Sequence, residues 1–179
     1  MSSFIWRKKD EKYHAGCMSE TVKHPLKVMV WSVISGKGTG SVYIVEGTLK
    51  QDQYVKILQT RLIPQIKKWF RHESECIFMH DSAPCHKAKS VTSFLEKKNV
   101  NVLPWPGNSP DLNPIENAWE LLKRKIAIQN IKNQTDLVES LVRVWNNDEE
   151  LQKNIKNCIQ SMPRRVQAVI DAKGGSTKY

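Results

Sequence analysis

Between Lys27 and Leu103 the chain switches its hydrophobic period several times, and that alternation limits the folds open to it. Lys27-Val-Met-Val-Trp-Ser-Val-Ile-Ser35 is a β-branched and aromatic run that stops at Gly36-Lys37-Gly38, and Ser41-Val-Tyr-Ile-Val-Glu46 resumes it as far as Gly47. Two such runs around a glycine-rich link predict a β-hairpin. From Gln51 to Phe70 the period becomes 3.6. Tyr54, Ile57, Leu58, Leu62, Ile66, Trp69 and Phe70 keep that spacing with Lys and Arg between them, which predicts an amphipathic helix with a kink at Pro64. Cys76-Ile-Phe-Met79 reads as a short buried strand and His86 to Lys98 as a helix with Ala88, Val91, Phe94 and Leu95 on one face. Asn101-Val-Leu103 reads as one more strand. Pro104, Pro106, Pro110 and Pro114 then suspend regular structure until a helix opens near Asn113. Beyond it, residues 115–127, 134–146, 148–160 and 163–172 read as four helices, and the ending from Gly174 as a frayed tail.

The order strand, strand, helix, strand, helix, strand, then helices predicts an α/β fold with a mixed sheet flanked by helices and a helical C-terminal extension. A chain of 179 residues has room for one core. We therefore read 1–179 as a single domain, its core at about 27–127 and its C-terminal helices at about 128–172. Composition matters for the partner. Lys and Arg total 28 against 18 Asp and Glu, for a net charge of +10, the electrostatic footprint of a protein that meets polyanions, although basic surfaces also serve solubility alone. No uncharged stretch approaches the roughly 20 residues of a membrane span. The N-terminal Met-Ser-Ser-Phe-Ile-Trp-Arg-Lys-Lys has its charges after a few apolar residues, the reverse of a secretory signal, so the chain is expected to stay inside the cell and off membranes. Cys17, Cys76, Cys85 and Cys158 lack CxxC pairing and read as reduced thiols.

Residues 99–116 hold no Lys or Arg and two acids, Asp111 and Glu116, in an otherwise basic protein. Asp81 follows directly on the buried strand Cys76–Met79, and Glu116 falls in the first turn of a helix. In alternating α/β layers, ligands gather at the carboxyl ends of strands, so both carboxylates could open onto one cleft. Two such carboxylates suit Mg²⁺ or Mn²⁺, hard ions that take oxygen ligands and serve phosphoryl transfer at a phosphodiester. The plainer reading stays open. Asn113-Pro114-Ile115-Glu116 also fits a helix start with Asn at the N-cap, Pro at N1 and Glu at N3, and Asp81 before Ser-Ala-Pro also fits a turn. His80 and His86 flank Asp81 and either reach bound phosphate or pack, while Cys85 beside His86 only superficially resembles a nucleophilic pair. Trp105 and Trp119 read as core packing. Lys123, Arg124 and Lys125, beyond Glu116 on the same helix, either contact DNA phosphates or form a solvated face.

Three blocks, Met29-Val-Trp-Ser-Val-Ile-Ser35, His80-Asp-Ser-Ala-Pro-Cys-His86 and Trp105-Pro-Gly-Asn-Ser-Pro-Asp-Leu-Asn-Pro-Ile-Glu-Asn-Ala-Trp119, resemble the catalytic domain of Tc1/mariner transposases over roughly residues 6–125. Between Asp81 and Glu116 lie 34 residues, the DD34E spacing of the Tc1-like branch. The resemblance implies an RNase H-like fold and a divalent metal, with Asp81 matching the second catalytic Asp and Glu116 the catalytic Glu. It also implies double-stranded DNA as partner, at transposon ends and target, and action in the nucleus. The implied chemistry is hydrolysis at a transposon end, then attack of the freed 3′-hydroxyl on target DNA. In the family, the first catalytic Asp lies on the opening, central strand, upstream of a pair like Trp6-Arg7, where this chain has only Met-Ser-Ser-Phe-Ile. Asp10 and Glu11 fall on the wrong side of that pair and read as solvated charges. The expectation is therefore a truncated catalytic domain lacking its central strand, inactive alone and prone to self-association through unpaired edges. The alternative is a DNA-binding or interaction module derived from a transposase without turnover.

Overall fold

The computed structural model of the chain describes residues 26–105, 109, 112–175 and 177. Strands β1 (Met29–Ser35) and β2 (Gly38–Val45) form the expected hairpin, antiparallel from Met29↔Val45 to Ser35↔Gly38, with an irregularity between Ser32 and Ile34. The alternation is kept through it: Trp31 and Val33 share one face while Val30 and Ile34 share the other. Two cores result, one on each side of the hairpin. Trp31, Val33, Tyr43 and Val45 pack with Tyr54, Ile57, Leu58, Leu62, Ile66, Phe78, Val91 and Leu95. On the opposite face, Val30, Ile34, Val42 and Ile44 pack with Ala118, Leu121, Leu122, Leu141, Val144, Trp145, Leu151 and Ile155. The period-2 pattern of the hairpin thus feeds helices on both sides, as in an α/β layer.

The amphipathic run divides into α1 (Gln51–Ile57), a π turn (Leu58–Leu62) and α2 (Ile63–Trp69), all continuous. Pro64 therefore does not interrupt the helical run. The wider π turn just before it absorbs the register change that its missing N–H imposes. Gln65 on α2 is buried, and its Oε1 accepts from both the amide and the hydroxyl of Ser41 at 3.0 Å, tying the helix to β2. After a 3₁₀ turn (Glu73–Glu75) come β3 (Ile77–Phe78), α3 (Lys89–Lys97) and β4 (Asn101–Val102). The helix expected from His86 thus begins three residues later. β3 and β4 pair in parallel, with the Leu103 amide donating to the Phe78 carbonyl at 2.8 Å. The mixed character of the sheet is present as one antiparallel and one parallel pair, and among the described residues no strand joins the two. The expectation of an absent central strand concerns residues upstream of Lys27, most of which lie outside the described residues.

Three helices close the chain: α4 (Pro114–Ala127), α5 (Gln134–Asn147) and α6 (Glu149–Asp171). The last two expected helices are one, running through Pro163. The Ser161 hydroxyl donates to the Cys158 carbonyl at 2.7 Å and accepts from Arg165 Nε at 2.9 Å, and Arg165 reaches Asn117 on α4 at 3.1 Å, so side chains hold the stretch that proline weakens. Trp145 on α5 is fully buried, stacks on Trp119 at 4.7 Å and donates its indole N–H to the Gly40 carbonyl on β2 at 3.0 Å. Gly40 has no room for a side chain, since a Cβ there would stand 2.7 Å from Trp69 and Val33 and 2.9 Å from the Val33 carbonyl oxygen. Among the described residues no helix is long and apolar enough to cross a membrane, and Cys76, Cys85 and Cys158 are free thiols.

Candidate active site

Asp81 stands three residues beyond β3, as its place after the buried strand predicts. Its side chain is 59% exposed, and two donors converge on one oxygen: the Ala83 amide at 3.0 Å and His86 Nδ1 at 2.6 Å from Oδ1. The first contact is a local turn, so the turn reading of Asp81 is correct and accounts for half of the carboxylate. Among the described residues no hydrogen bond engages Oδ2.

Behind Asp81 lies a packed cluster. The His86 ring stacks on Tyr54 at 4.2 Å and on His80 at 5.2 Å, the latter nearly parallel at 8°, and His80 packs at a tilt against Phe78. Tyr54, from α1, is 1% exposed and its hydroxyl is 3.0 Å from His80 Nδ1. Burial, and then the neighbouring His86, lower the His80 pKa from 6.5 to about 4 against the opposing pull of Asp81, so this imidazole is neutral at pH 7. Burial also pushes the Tyr54 phenol well above its ordinary value, against the hydrogen bond from Trp31. The hydroxyl therefore keeps its proton and shares a hydrogen bond with His80 Nδ1. Both histidines pack, and His86 also touches the carboxylate.

Glu116 sits where the cap arithmetic puts it, but it is not used as a cap. Asn113 Oδ1 accepts from the Ile115 amide at 3.3 Å and the Asn113 carbonyl from the Glu116 amide at 3.1 Å. The Glu116 carboxylate is exposed, and among the described residues it makes no hydrogen bond back to Asn113. Cap and carboxylate are thus separate features. Glu116, Glu120, Lys123, Arg124 and Ala127 form the exposed stripe of α4. The three expected cations diverge. Lys123 and Arg124 are exposed, whereas the Lys125 ammonium lies 2.9 Å from Asp148 and 2.6 Å from Glu150 at the start of α6. Trp119 is core, as expected, and Trp105 is half-buried. Asp10, Glu11, Asp111 and Cys17 lie outside the described residues. Among the described residues no group of three His, Cys, Asp or Glu side chains able to hold a metal occurs.

With that geometry in place, the relationships of the chain become informative. Residues 2–138 match the family described as DDE superfamily endonuclease, more than half of the chain. The chain belongs to that family. Within this DDE endonuclease family it is 34% identical over 179 residues to the transposable element Tcb1 transposase of Caenorhabditis briggsae, covering 98% of this chain and 63% of that protein. It is 33% identical to the transposable element Tc1 transposase of Caenorhabditis elegans, covering 99% of this chain and 64% of that one. The chain thus spans a little under two thirds of the length of these relatives, and its Tc1/mariner resemblance is correct. The fold matches the crystal structure of the catalytic domain of Mos1 mariner transposase with a TM-score of 0.76 at 21% identity, over 89% of this chain and 80% of that one. A Mos1 paired end complex with Mn gives 0.79 over 90% of this chain and 48% of that chain. The RNase H-like fold read from the sequence is therefore present in this chain.

Proposed function

We propose that the chain is the catalytic portion of a Tc1-like DNA transposase, built for phosphodiester hydrolysis and strand transfer on double-stranded DNA in the nucleus. The observation that carries this reading is that Asp81 and Glu116, with 34 residues between them, both present carboxylate oxygen to solvent that no turn or cap consumes. The donor set fits a hard divalent ion, Mg²⁺ or Mn²⁺: carboxylate oxygens only, exposed, with room for the waters such an ion keeps. When bound, that ion would supply a Lewis acid at the scissile phosphate. Asp81 would hold it through Oδ2 and Glu116 through its free carboxylate. Lys123 and Arg124 would take DNA phosphates along the exposed stripe of α4. Lys125, which joins the two helices through Asp148 and Glu150, has its charge already matched.

An ion held by these two carboxylates alone is under-ligated, so we expect the 179-residue chain to bind DNA without cutting it. Metal-dependent cleavage by the purified chain, abolished by Asp81→Ala, would refute that. Placing the upstream part of the Tcb1 transposase ahead of this chain should restore metal-dependent end cleavage, and Asp81→Ala or Glu116→Ala should abolish it again. Cleavage that survives both substitutions would show that these residues are not the active-site acids.

The second reading, a non-catalytic DNA-binding or interaction module, draws on the net charge of +10 and the two exposed cations. It predicts duplex binding in both chain and chimera, with cleavage in neither. Self-association belongs to both readings, because Ile77, Val102 and Leu103 along the small parallel sheet are 65%, 38% and 39% exposed. A soluble monomer by sedimentation would remove that part.

A further inference from the structure

We propose that His86 is the positioning residue of Asp81: held by the Tyr54–His80 stack, its Nδ1–H fixes one carboxylate oxygen so that the other faces a divalent cation. The inference rests on the reading of Asp81 as a metal ligand and adds the device that orients it. Asp81 is 59% exposed on a loop, a setting in which a carboxylate ordinarily samples several rotamers. Here both of its hydrogen bonds fall on Oδ1, from the Ala83 amide and from His86. An oxygen that accepts two donors is poorly placed to share an ion, which leaves Oδ2 as a monodentate ligand of the kind a small octahedral ion prefers.

The donor itself is immobilised from outside the loop. His86 is only 14% exposed although its partner is open to solvent. A tight turn, with the His86 and Lys87 amides donating to the Ala83 carbonyl at 2.9 and 3.2 Å, folds it back over Asp81. Its ring then lies 4.2 Å from Tyr54, a residue anchored in the core, and 5.2 Å from His80, which Tyr54 holds by its hydroxyl. The carboxylate only accepts, so Nδ1 carries the proton. Supporting hydrogen bonds of this kind typically change metal affinity 10- to 100-fold.

Two substitutions separate positioning from packing. His86→Phe keeps the ring stack and removes the donor, while His86→Asn keeps a donor in the place of Nδ1 and removes the stack. Mn²⁺ binding to the purified chain, followed by electron paramagnetic resonance of the free ion, should be lost in Asp81→Asn. It should weaken at least tenfold in His86→Phe at little change in thermal stability, and lie nearer to wild type in His86→Asn. If Asp81→Asn abolishes binding but His86→Phe binds like wild type, the positioning role is overturned and the metal site stands. If Asp81→Asn binds like wild type, or the wild-type chain does not bind, the metal reading falls and this inference with it. Nitrogen-15 NMR of the histidine rings gives a metal-free check. A protonated Nδ1 of His86 that shifts in Asp81→Asn supports the hydrogen bond, and a proton on Nε2 alone refutes it.

Discussion

Trp145→Phe isolates the contact that joins the C-terminal helices to the hairpin. Trp145 is fully buried on α5, and its indole N–H donates to the Gly40 carbonyl at 3.0 Å from the far side of the fold. Phenylalanine keeps most of the stack on Trp119 but removes the donor. Leaving a buried carbonyl unpaired costs about 1–3 kcal/mol. The lost half of the indole adds about 1–2 kcal/mol, scaled down from the 3–5 typical of complete aromatic truncation. We therefore expect Trp145→Phe to destabilise the chain by roughly 2–5 kcal/mol, a fall in melting temperature of about 4–20 °C for a domain of this size. Trp119→Phe is the control. Trp119 is only partly buried and belongs to the same stack, so its substitution should cost about 1 kcal/mol. Urea unfolding followed by far-ultraviolet circular dichroism measures both. A Trp145→Phe penalty no larger than that of Trp119→Phe would refute the claim that the Gly40 hydrogen bond anchors the two layers.

Other expectations concern separate parts of the fold. Gly40→Ala should destabilise by about 1–3 kcal/mol in the same assay, because the nearest obstacles include the Val33 carbonyl, which cannot swing aside. Asp148 caps α6 through the Leu151 amide at 2.8 Å, so Asp148→Ala should lose about 0.5–2 kcal/mol. Burial works to raise the Asp148 pKa, but the Leu151 amide and Lys125 outweigh it and the net shift is downward. A carboxyl whose folded pKa lies below its unfolded value stabilises the fold above the unfolded pKa and loses that contribution as pH falls through the folded one. Unfolding midpoints between pH 5 and pH 2 should accordingly fall more steeply for wild type than for Asp148→Asn. Replacing Lys123 and Arg124 together by Ala should weaken duplex binding and lower the log–log salt slope by roughly 2, at about 0.9 per phosphate contact, whereas Lys125→Ala should leave the slope unchanged and lower stability instead.

What the sequence could and could not disclose follows from the range of each interaction. The hairpin was legible because its period and its glycine turn are local, and so was the start of α4, where Asn113 and Pro114 form a cap within three residues. Pro163 misleads because the side chains that carry α6 through it, Ser161 and Arg165, find their partners on the helix itself and on α4. At Pro64 the proline's cost is absorbed by a π turn that has no composition signature of its own. In the candidate site, the spacing of Asp81 and Glu116 is written in the chain. The packing of His86 on Tyr54 is not, since those residues come from a loop and from a helix far upstream. Lys123, Arg124 and Lys125 read as one cluster in sequence, and only the approach of the α6 N-terminus, bringing Asp148 and Glu150, separates the third from the other two.

The central claim is that Asp81 and Glu116 serve one divalent ion, and anomalous diffraction at the manganese edge from crystals of the chain grown with Mn²⁺ tests it most directly. The account predicts a peak about 2.1 Å from Asp81 Oδ2, with a Glu116 oxygen in the same coordination shell and Oδ1 still bonded to Ala83 and His86. A peak elsewhere, a peak on Oδ1, or Asp81 and Glu116 found too far apart to share an ion would contradict it.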